Sequence, residues 1–256
     1  MNINIKQLTQ IAIKAARSAG MEIMKVYHSA DFGVEYKGDD SPLTKADKAA
    51  HHAILDYLKE TNLPVLSEEG KRIPFEERKN WGYFWMVDPL DGTKEFIKRS
   101  GEFTVNIALI RKGMPIMGVL YAPVLDWMYW ANEEEGAWKQ DENAEVLQLK
   151  TNAGNEVETL VVSLSHQNKE TKQFIIDYPK AGVISMGSSL KFMLVAENKA
   201  QLYPRLAPTM EWDTAAAQAI VEIAGGKVTS YPGNNTLKYN KEDLLNPWFV
   251  VRGIRG

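Results

Sequence analysis

With 256 residues, 45% hydrophobic and 25% charged, the chain can bury a sizeable core, as one large domain or two coupled halves. A net charge of −3 argues against a nucleic-acid-binding surface, yet allows a small anionic ligand held by local cations. No cysteine is present, which excludes disulfides, thiol nucleophiles, zinc–thiolate sites and iron–sulfur clusters and fits a reducing compartment.

The N-terminal stretch from Met1 to Gln7 lacks the apolar core of a secretory signal. No apolar run approaches the roughly 20 residues that span a bilayer. The expected location is cytoplasmic, with peripheral contact with the inner face of the membrane left open. Ile5, Leu8, Ile11, Ala12, Ala15, Ala19, Ile23 and Val26 recur at helical spacing, which predicts a long amphipathic helix over 5–27. A short strand over 32–37 and a turn over 38–42 follow. A second helix is expected over 44–60, with Thr44 as N-cap and Asp47 in the reciprocal capping position.

Pro64 to Ser67 reads as a short buried strand that leads into Glu68-Glu69-Gly70, and 71–79 as a polar excursion. Tyr83 to Val87 is an apolar run of buried-strand type. It ends in Asp88-Pro89-Leu90-Asp91-Gly92-Thr93, where Pro89 donates no ladder hydrogen bond and Gly92 permits a tight turn. A short helix over 93–98 and two strands over 103–111 and 116–121 come next, around the hairpin signal Lys112-Gly113-Met114-Pro115. Another antiparallel pair is expected over 127–131 and 137–140. The first half, 1–140, is therefore α+β with a largely antiparallel sheet. Asp141 to Ala144 is a plausible seam. Beyond it strands (159–164, 181–185, 200–203) alternate with helices (169–177, 188–197, 213–224), and Gly225-Gly226 stops the last, so 141–256 reads as a layered α/β half.

Five acids fall at element ends: Asp47, Glu68, Asp88, Asp91 and Asp213. Singly, each has a plain structural explanation as a cap, a turn residue or a solvated acid. Jointly they suit a hard cation. Mg²⁺ takes oxygen ligands and keeps several waters, and two ions about 3.5–4 Å apart can share a carboxylate while clamping a phosphate displacement. Asp88 and Asp91 lie on one bend, with the Leu90 carbonyl between them. The Gly92 and Thr93 amides open a helix and suit a phosphate. Competing signatures are missing: the chain contains no nucleophile elbow, no P-loop and no dinucleotide fingerprint. None of its four histidines has zinc-motif spacing, and His51-His52 is expected on a helix surface or its edge.

The order Thr44-Lys45-Ala46-Asp47, Leu66-Ser67-Glu68-Glu69, Val87 through Thr93 and Trp212-Asp213 resembles the inositol-monophosphatase-like superfamily of metal-dependent, lithium-sensitive phosphatases. Gly101 to Leu109, Gly187-Ser188-Ser189-Leu190-Lys191 and Ala200 to Arg205 are similar to its branch that acts on bisphosphorylated nucleotides. The resemblance implies the αβαβα sandwich of the inositol-monophosphatase/fructose-1,6-bisphosphatase-like type. It implies Mg²⁺ as cofactor: one ion on Glu68, Asp88 and the Leu90 carbonyl, a second on Asp88, Asp91 and Asp213, and room for a third near Glu68. It gives Asp47 and Thr93 the role of orienting and deprotonating the attacking water, and the Gly92 and Thr93 amides the grip on the scissile phosphate.

The implied substrate is a small phosphorylated nucleotide, adenosine 3',5'-bisphosphate or its sulfated analogue, contacted by Ser188, Ser189, Lys191 and Arg205 as well as by the metal-side residues. Lys191 reads alternatively as a solvated helix lysine, and Tyr203 first as core packing. An inositol-monophosphate or sugar phosphatase on the same core is the alternative. A non-catalytic nucleotide sensor is disfavoured because Asp47 and Thr93 are both present.

Overall fold

The computed structural model describes residues 3–29, 31–36, 42–151, 156–163 and 168–253. Helix α1, Ile5–Tyr27, buries a stripe of mostly small residues, among them Ala12, Ala15, Ala16 and Ala19, and Asn4 caps it by accepting from the Gln7 amide. Small residues let α1 lie close against α2, Lys45–Leu58. Thr44 and Asp47 form the expected capping box at the start of α2. Between these helices is a two-residue antiparallel ribbon, β1 (Glu35–Tyr36) with β2 (Pro42–Leu43). The turn expected over 38–42 falls almost wholly outside the described residues.

The helix pair covers one face of a seven-stranded sheet. In chain order its strands are β3 (Val65–Ser67), β4 (Tyr83–Asp91), β5 (Thr104–Arg111), β6 (Met114–Ala122), β7 (Trp127–Asn132), β8 (Gly136–Gln140) and β9 (Val146–Gln148). Only β3 and β4 pair in parallel. Side chains alternate between faces, so Trp85, Val87, Val105, Ile107 and Leu109 pack against α1 and α2, while Phe84, Met86, Ala108 and Ile110 face the other way. Both faces are covered, which explains why β4 and β5 read as nearly continuous apolar runs. β9 lies beyond Asp141 to Ala144, so the first sheet extends past the expected seam.

The second core is made by α6 (Leu190–Ala196) and α7 (Glu211–Ile223), packed between that sheet and a second one. The second sheet runs in the order β11 (Gly182–Met186), β10 (Thr159–Ser163), β12 (Leu202–Arg205), β14 (Phe249–Arg252), β13 (Lys227–Ser230). Its outer face meets Phe174 of α5, Lys169–Ile176. Helices, sheet, helices, sheet and helix thus give the αβαβα layering. The helix α7 crosses β6 at Gly118, where an added Cβ would lie 2.2 Å from the Ala216 carbonyl oxygen.

Four expectations are corrected. The polar excursion over 71–79 contains a short helix, α3 (Phe75–Arg78), whose Arg78 is buried. β4 does not end before Pro89 but continues to Asp91. β13 and β14 were not expected, and they make part of the second sheet antiparallel. His51 is buried, with Nδ1 2.9 Å from Ser67 Oγ, rather than lying on a surface.

Candidate active site

The site is built at the end of β4. Asp88 pairs with Asn106 and Asp91 with Thr104, so three steps on β4 oppose two on β5. The extra residue makes a bulge, which bends the strand and re-aims its side chains. Pro89, with no amide hydrogen to place in the ladder, is well suited to it. The bend turns Asp88 inward, where its Oδ1 accepts from the Leu90 amide at 3.0 Å. Gly92 follows at φ +95°, and α4 (Thr93–Ile97) begins there. A Cβ at Gly92 would come within 3.3 Å of the Glu102 carbonyl and the Ser188 side chain, so space as well as φ selects glycine.

Two further acids arrive from neighbouring elements. Glu68 continues β3, its amide bonded to the Val87 carbonyl at 3.1 Å. Asp213 sits in the first turn of α7, and its Oδ2 accepts from the Met210 amide at 2.9 Å. It is therefore a capping residue and a site residue at once. Burial, followed by the charges of Glu68, Asp91 and Asp213, pushes the Asp88 carboxyl well above its ordinary range. Asp213 is raised well above its range too, by burial and then by Asp91 and Glu68.

Four acids gathered so closely, with Asp88 and Asp213 raised by burial and by their neighbours' charge, are a donor set that calls for positive charge. The fit to Mg²⁺ is good, since every donor is a hard oxygen. Among the described residues no three acidic, histidine or cysteine side chains form a ready metal cage.

Asp47 reaches the cluster from α2. Its Oδ2 accepts from the Thr44 amide at 2.7 Å and the Thr44 hydroxyl at 2.5 Å. Its Oδ1 faces Thr93, whose hydroxyl lies 3.3 Å from it and 3.3 Å from the Leu90 carbonyl. Both contacts are long for an O–H···O hydrogen bond. Burial, supported by the charge of Glu69, raises the Asp47 carboxyl above its ordinary range despite the Thr44 bonds.

The second half of the chain supplies the other wall. A cleft of about 480 Å³, lined by Glu68, Asp91, Gly92, Thr93, Trp212 and Asp213, opens onto a smaller pocket of about 120 Å³. That pocket holds Lys191, Tyr203 and Arg205 and shares Asp91, Gly92 and Asp213 with the cleft. Lys191 is buried, not solvated. Its Nζ donates to the carbonyls of Ser188 at 2.5 Å and Met186 at 3.2 Å. Arg205 donates through Nη2 to the Pro208 carbonyl, while its Nε is buried without a protein partner. Tyr203 is packed edge-on against Phe192 and Phe249, as the core reading expected.

Ser188 and Ser189 line the same pocket and are also tied to Asp91. Both hydroxyls, and the Ser189 amide, bond to Oδ2 of Asp91 at 2.5–2.7 Å. Behind them stand Glu102, Thr104 and Asn106, which were not singled out in the sequence. The available signal was polar residues at every second position of an otherwise apolar strand.

Residues 4–251 match the inositol monophosphatase family. A 3'(2'),5'-bisphosphate nucleotidase CysQ of Salmonella typhimurium is 48% identical over 252 residues, which cover 96% of this chain and 98% of that relative. A relative of the same name from Buchnera aphidicola is 46% identical, covering 99% of this chain and 96% of its own. The crystal structure of CysQ from Bacteroides thetaiotaomicron superposes with a TM-score of 0.90 at 45% identity, covering all of both chains. An IMPase of Thermotoga maritima, 24% identical with a TM-score of 0.76, covers 95% of this chain and 91% of its own and shares the fold.

Proposed function

This chain belongs to the inositol monophosphatase family, and from that membership we propose that it is a 3'(2'),5'-bisphosphate nucleotidase. It removes the 3'-phosphate of adenosine 3',5'-bisphosphate to leave AMP and phosphate. On the sulfated analogue the same reaction would place it in sulfur assimilation. The family is metal-dependent. We assign Glu68, Asp88 and the Leu90 carbonyl to one Mg²⁺, and Asp88, Asp91 and Asp213 to a second, with Asp88 shared and a third position near Glu68. Divalent ions held there supply Lewis acidity toward the phosphate oxygens and the attacking water.

The chain's own groups do the rest. Gly92 and Thr93 hold the scissile phosphate through their amides. Thr93 lies between Asp47 and the attacking water. It accepts a water proton as its own passes to Asp47, whose raised proton affinity suits a base. The water oxygen bonds to phosphorus, the bond to the ribose 3'-oxygen breaks, and that oxygen takes a proton from solvent. Residues 1–140 thus carry most of the metal and water-activating groups, and 141–256 complete the site with Asp213 and the substrate pocket. Among the described residues no helix is long and apolar enough to cross a membrane.

The observation that carries the nucleotide reading is a pair of basic side chains in the pocket that shares Asp91 and Asp213 with the cleft. They are Lys191 and Arg205, and the Arg205 Nε lacks a protein acceptor. A substrate with a second phosphate suits that pair, whereas a simple inositol monophosphate leaves it unmatched. The test is phosphate release from adenosine 3',5'-bisphosphate, its sulfated analogue and inositol 1-phosphate, with Mg²⁺ and with Li⁺ added. The bisphosphate should give the highest kcat/KM, and Li⁺ at the second metal position should inhibit. A higher kcat/KM for inositol 1-phosphate would make the chain a sibling enzyme.

A further inference from the structure

The approach to β5 carries polar residues at alternate positions, Glu102, Thr104 and Asn106, while Phe103, Val105 and Ile107 enter the core. The three polar residues face the turn at 187–189 in register. Glu102 accepts from the Gly187 amide at 2.7 Å. Thr104 Oγ1 lies 2.7 Å from Ser188 Oγ, and the Asn106 amide donates to Ser189 Oγ at 3.0 Å. Each residue of the strand grips one residue of the turn. The grip is close: a Cβ at Gly187 would lie 2.8 Å from the Glu102 carbonyl oxygen.

The hydrogens of this array have a forced direction. Asp91 as a carboxylate only accepts. The single hydroxyl hydrogen of Ser188 therefore goes to Asp91 Oδ2, and Thr104 must be the donor toward Ser188, sharing its hydrogen with Asn106 Oδ1 at 3.1 Å. Ser189 receives the Asn106 amide and directs its own hydrogen to Asp91 Oδ2, with the Asp213 carbonyl at 2.8 Å as the competing acceptor. Its backbone amide adds a third bond to the same oxygen. Among the described residues all three donors to Asp91 land on Oδ2, and Oδ1 takes none. The turn needs this support, because Ser188 holds a left-handed φ of +51°, a strained conformation for a residue with a side chain. Thr104, Asn106 and Ser189 are all buried.

We infer that Glu102, Thr104 and Asn106 are positioning residues for Asp91, acting through Gly187, Ser188 and Ser189 to fix Oδ2 and present Oδ1 to a divalent cation. On this assignment the two serines orient a metal ligand. The inference rests on Asp91 being a metal ligand.

The test uses Mn²⁺ binding followed by electron paramagnetic resonance on the full chain without substrate, together with the Mg²⁺ concentration for half-maximal phosphatase activity. Thr104→Val removes one hydroxyl at constant volume, and Asn106→Leu removes the amide. Each should weaken Mn²⁺ binding and raise the Mg²⁺ requirement about 10–100-fold, the usual effect of losing a partner of a metal ligand. KM for substrate at saturating Mg²⁺ should stay near the wild-type value, and Thr104→Ser should restore metal affinity. Asp91→Asn separates the two levels of the argument. If it weakens Mn²⁺ binding while Thr104→Val and Asn106→Leu do not, the positioning role is overturned and the metal assignment stands. If Asp91→Asn leaves Mn²⁺ binding intact, both fall. A raised substrate KM with unchanged metal affinity in Thr104→Val would overturn the positioning role and make Ser188 a substrate contact instead.

Discussion

Asp47 divides its two oxygens between two tasks. Oδ2 closes the capping box with Thr44, and Oδ1 faces Thr93. The first task was legible from spacing alone, whereas the second joins residues 46 positions apart and came only with the family resemblance. Asp47→Asn keeps an oxygen for the Thr44 amide and so should fold, but it removes the proposed proton acceptor. We expect kcat to fall about 10²–10⁴-fold, the range typical of a lost general base. Thr93→Val should cost a similar factor, and the double variant should be no slower than the slower single, because the two act as a unit. Losses that multiply in steady-state kinetics would show that they act separately.

Lys191 was readable either as a solvated helix residue or as an anion contact. Burial, with the charge of Arg205 adding to it and Asp91 opposing, pushes its ammonium down to about 8. KM for the bisphosphate should therefore rise as pH climbs through that value, and Lys191→Met should flatten the profile at a higher KM. The stability sign follows from linkage. The folded chain loses this proton near pH 8 and the unfolded chain only near its ordinary value of about 10.4. Between the two the unfolded state binds more protons, so folding gains stability as pH rises. The melting temperature of wild type relative to Lys191→Met should increase from about pH 7 to about pH 9.5, and a decrease would reverse the assignment.

At the level of elements, what the sequence displays depends on how local the cause is. α1 and α2 declare themselves through periodic small apolar residues and a capping box. β4 and β5 do so through apolar runs. α3 is different, since four residues cannot sustain a helix alone. Arg78 anchors it instead, donating to the Asn240 side chain and to the carbonyls of Lys241 and Glu242, more than 160 residues away. β13 and β14, at four residues each, have too little alternation to read, and they exist because β12 offers β14 an edge.

The bulge at Pro89 was half legible. The proline marked an interruption, but only Asn106 and Thr104 across the ladder show that the strand resumes. The polar triad at the start of β5 was invisible in role because its targets lie 83–85 residues further on. Gly118 is a comparable long-range case, hidden in β6 until α7 crosses it. Gly118→Ala would force the Ala216 backbone back from a 2.2 Å approach. Overpacking of this kind costs about 1–3 kcal/mol, which corresponds to a drop in melting temperature of roughly 2–10 °C for a chain of this size. Asp213 begins the same helix, so activity should fall along with stability. Full activity with a lowered melting temperature would mean that α7 pivots around its site end.

On the scale of the whole molecule, the candidate site is where separate layers meet. Glu68 and the two β4 acids come from the seven-stranded sheet, and Asp213 from the helix layer packed between the sheets. Their mutual repulsion is a strain that folding brings about and the unfolded chain lacks. Burial first, and this repulsion after it, raise the proton affinity of Asp88 and Asp213. Any cation bound only in the folded state stabilises by mass action, with the gain growing as the logarithm of its free concentration over Kd.

Three consequences follow for melting temperature near neutral pH. Millimolar Mg²⁺ should raise it for wild type, and chelation should return it to the metal-free value. In chelator, Asp88→Asn should melt higher than wild type, because a neutral amide removes the most confined charge while keeping an oxygen for the Leu90 amide. With Mg²⁺ the order should reverse, since the shared ligand is gone. The crossing of the two curves is the decisive feature. An Asp88→Asn protein that is less stable than wild type in chelator, and equally responsive to Mg²⁺, would show that Asp88 is held by the fold for its own sake and not for a cation.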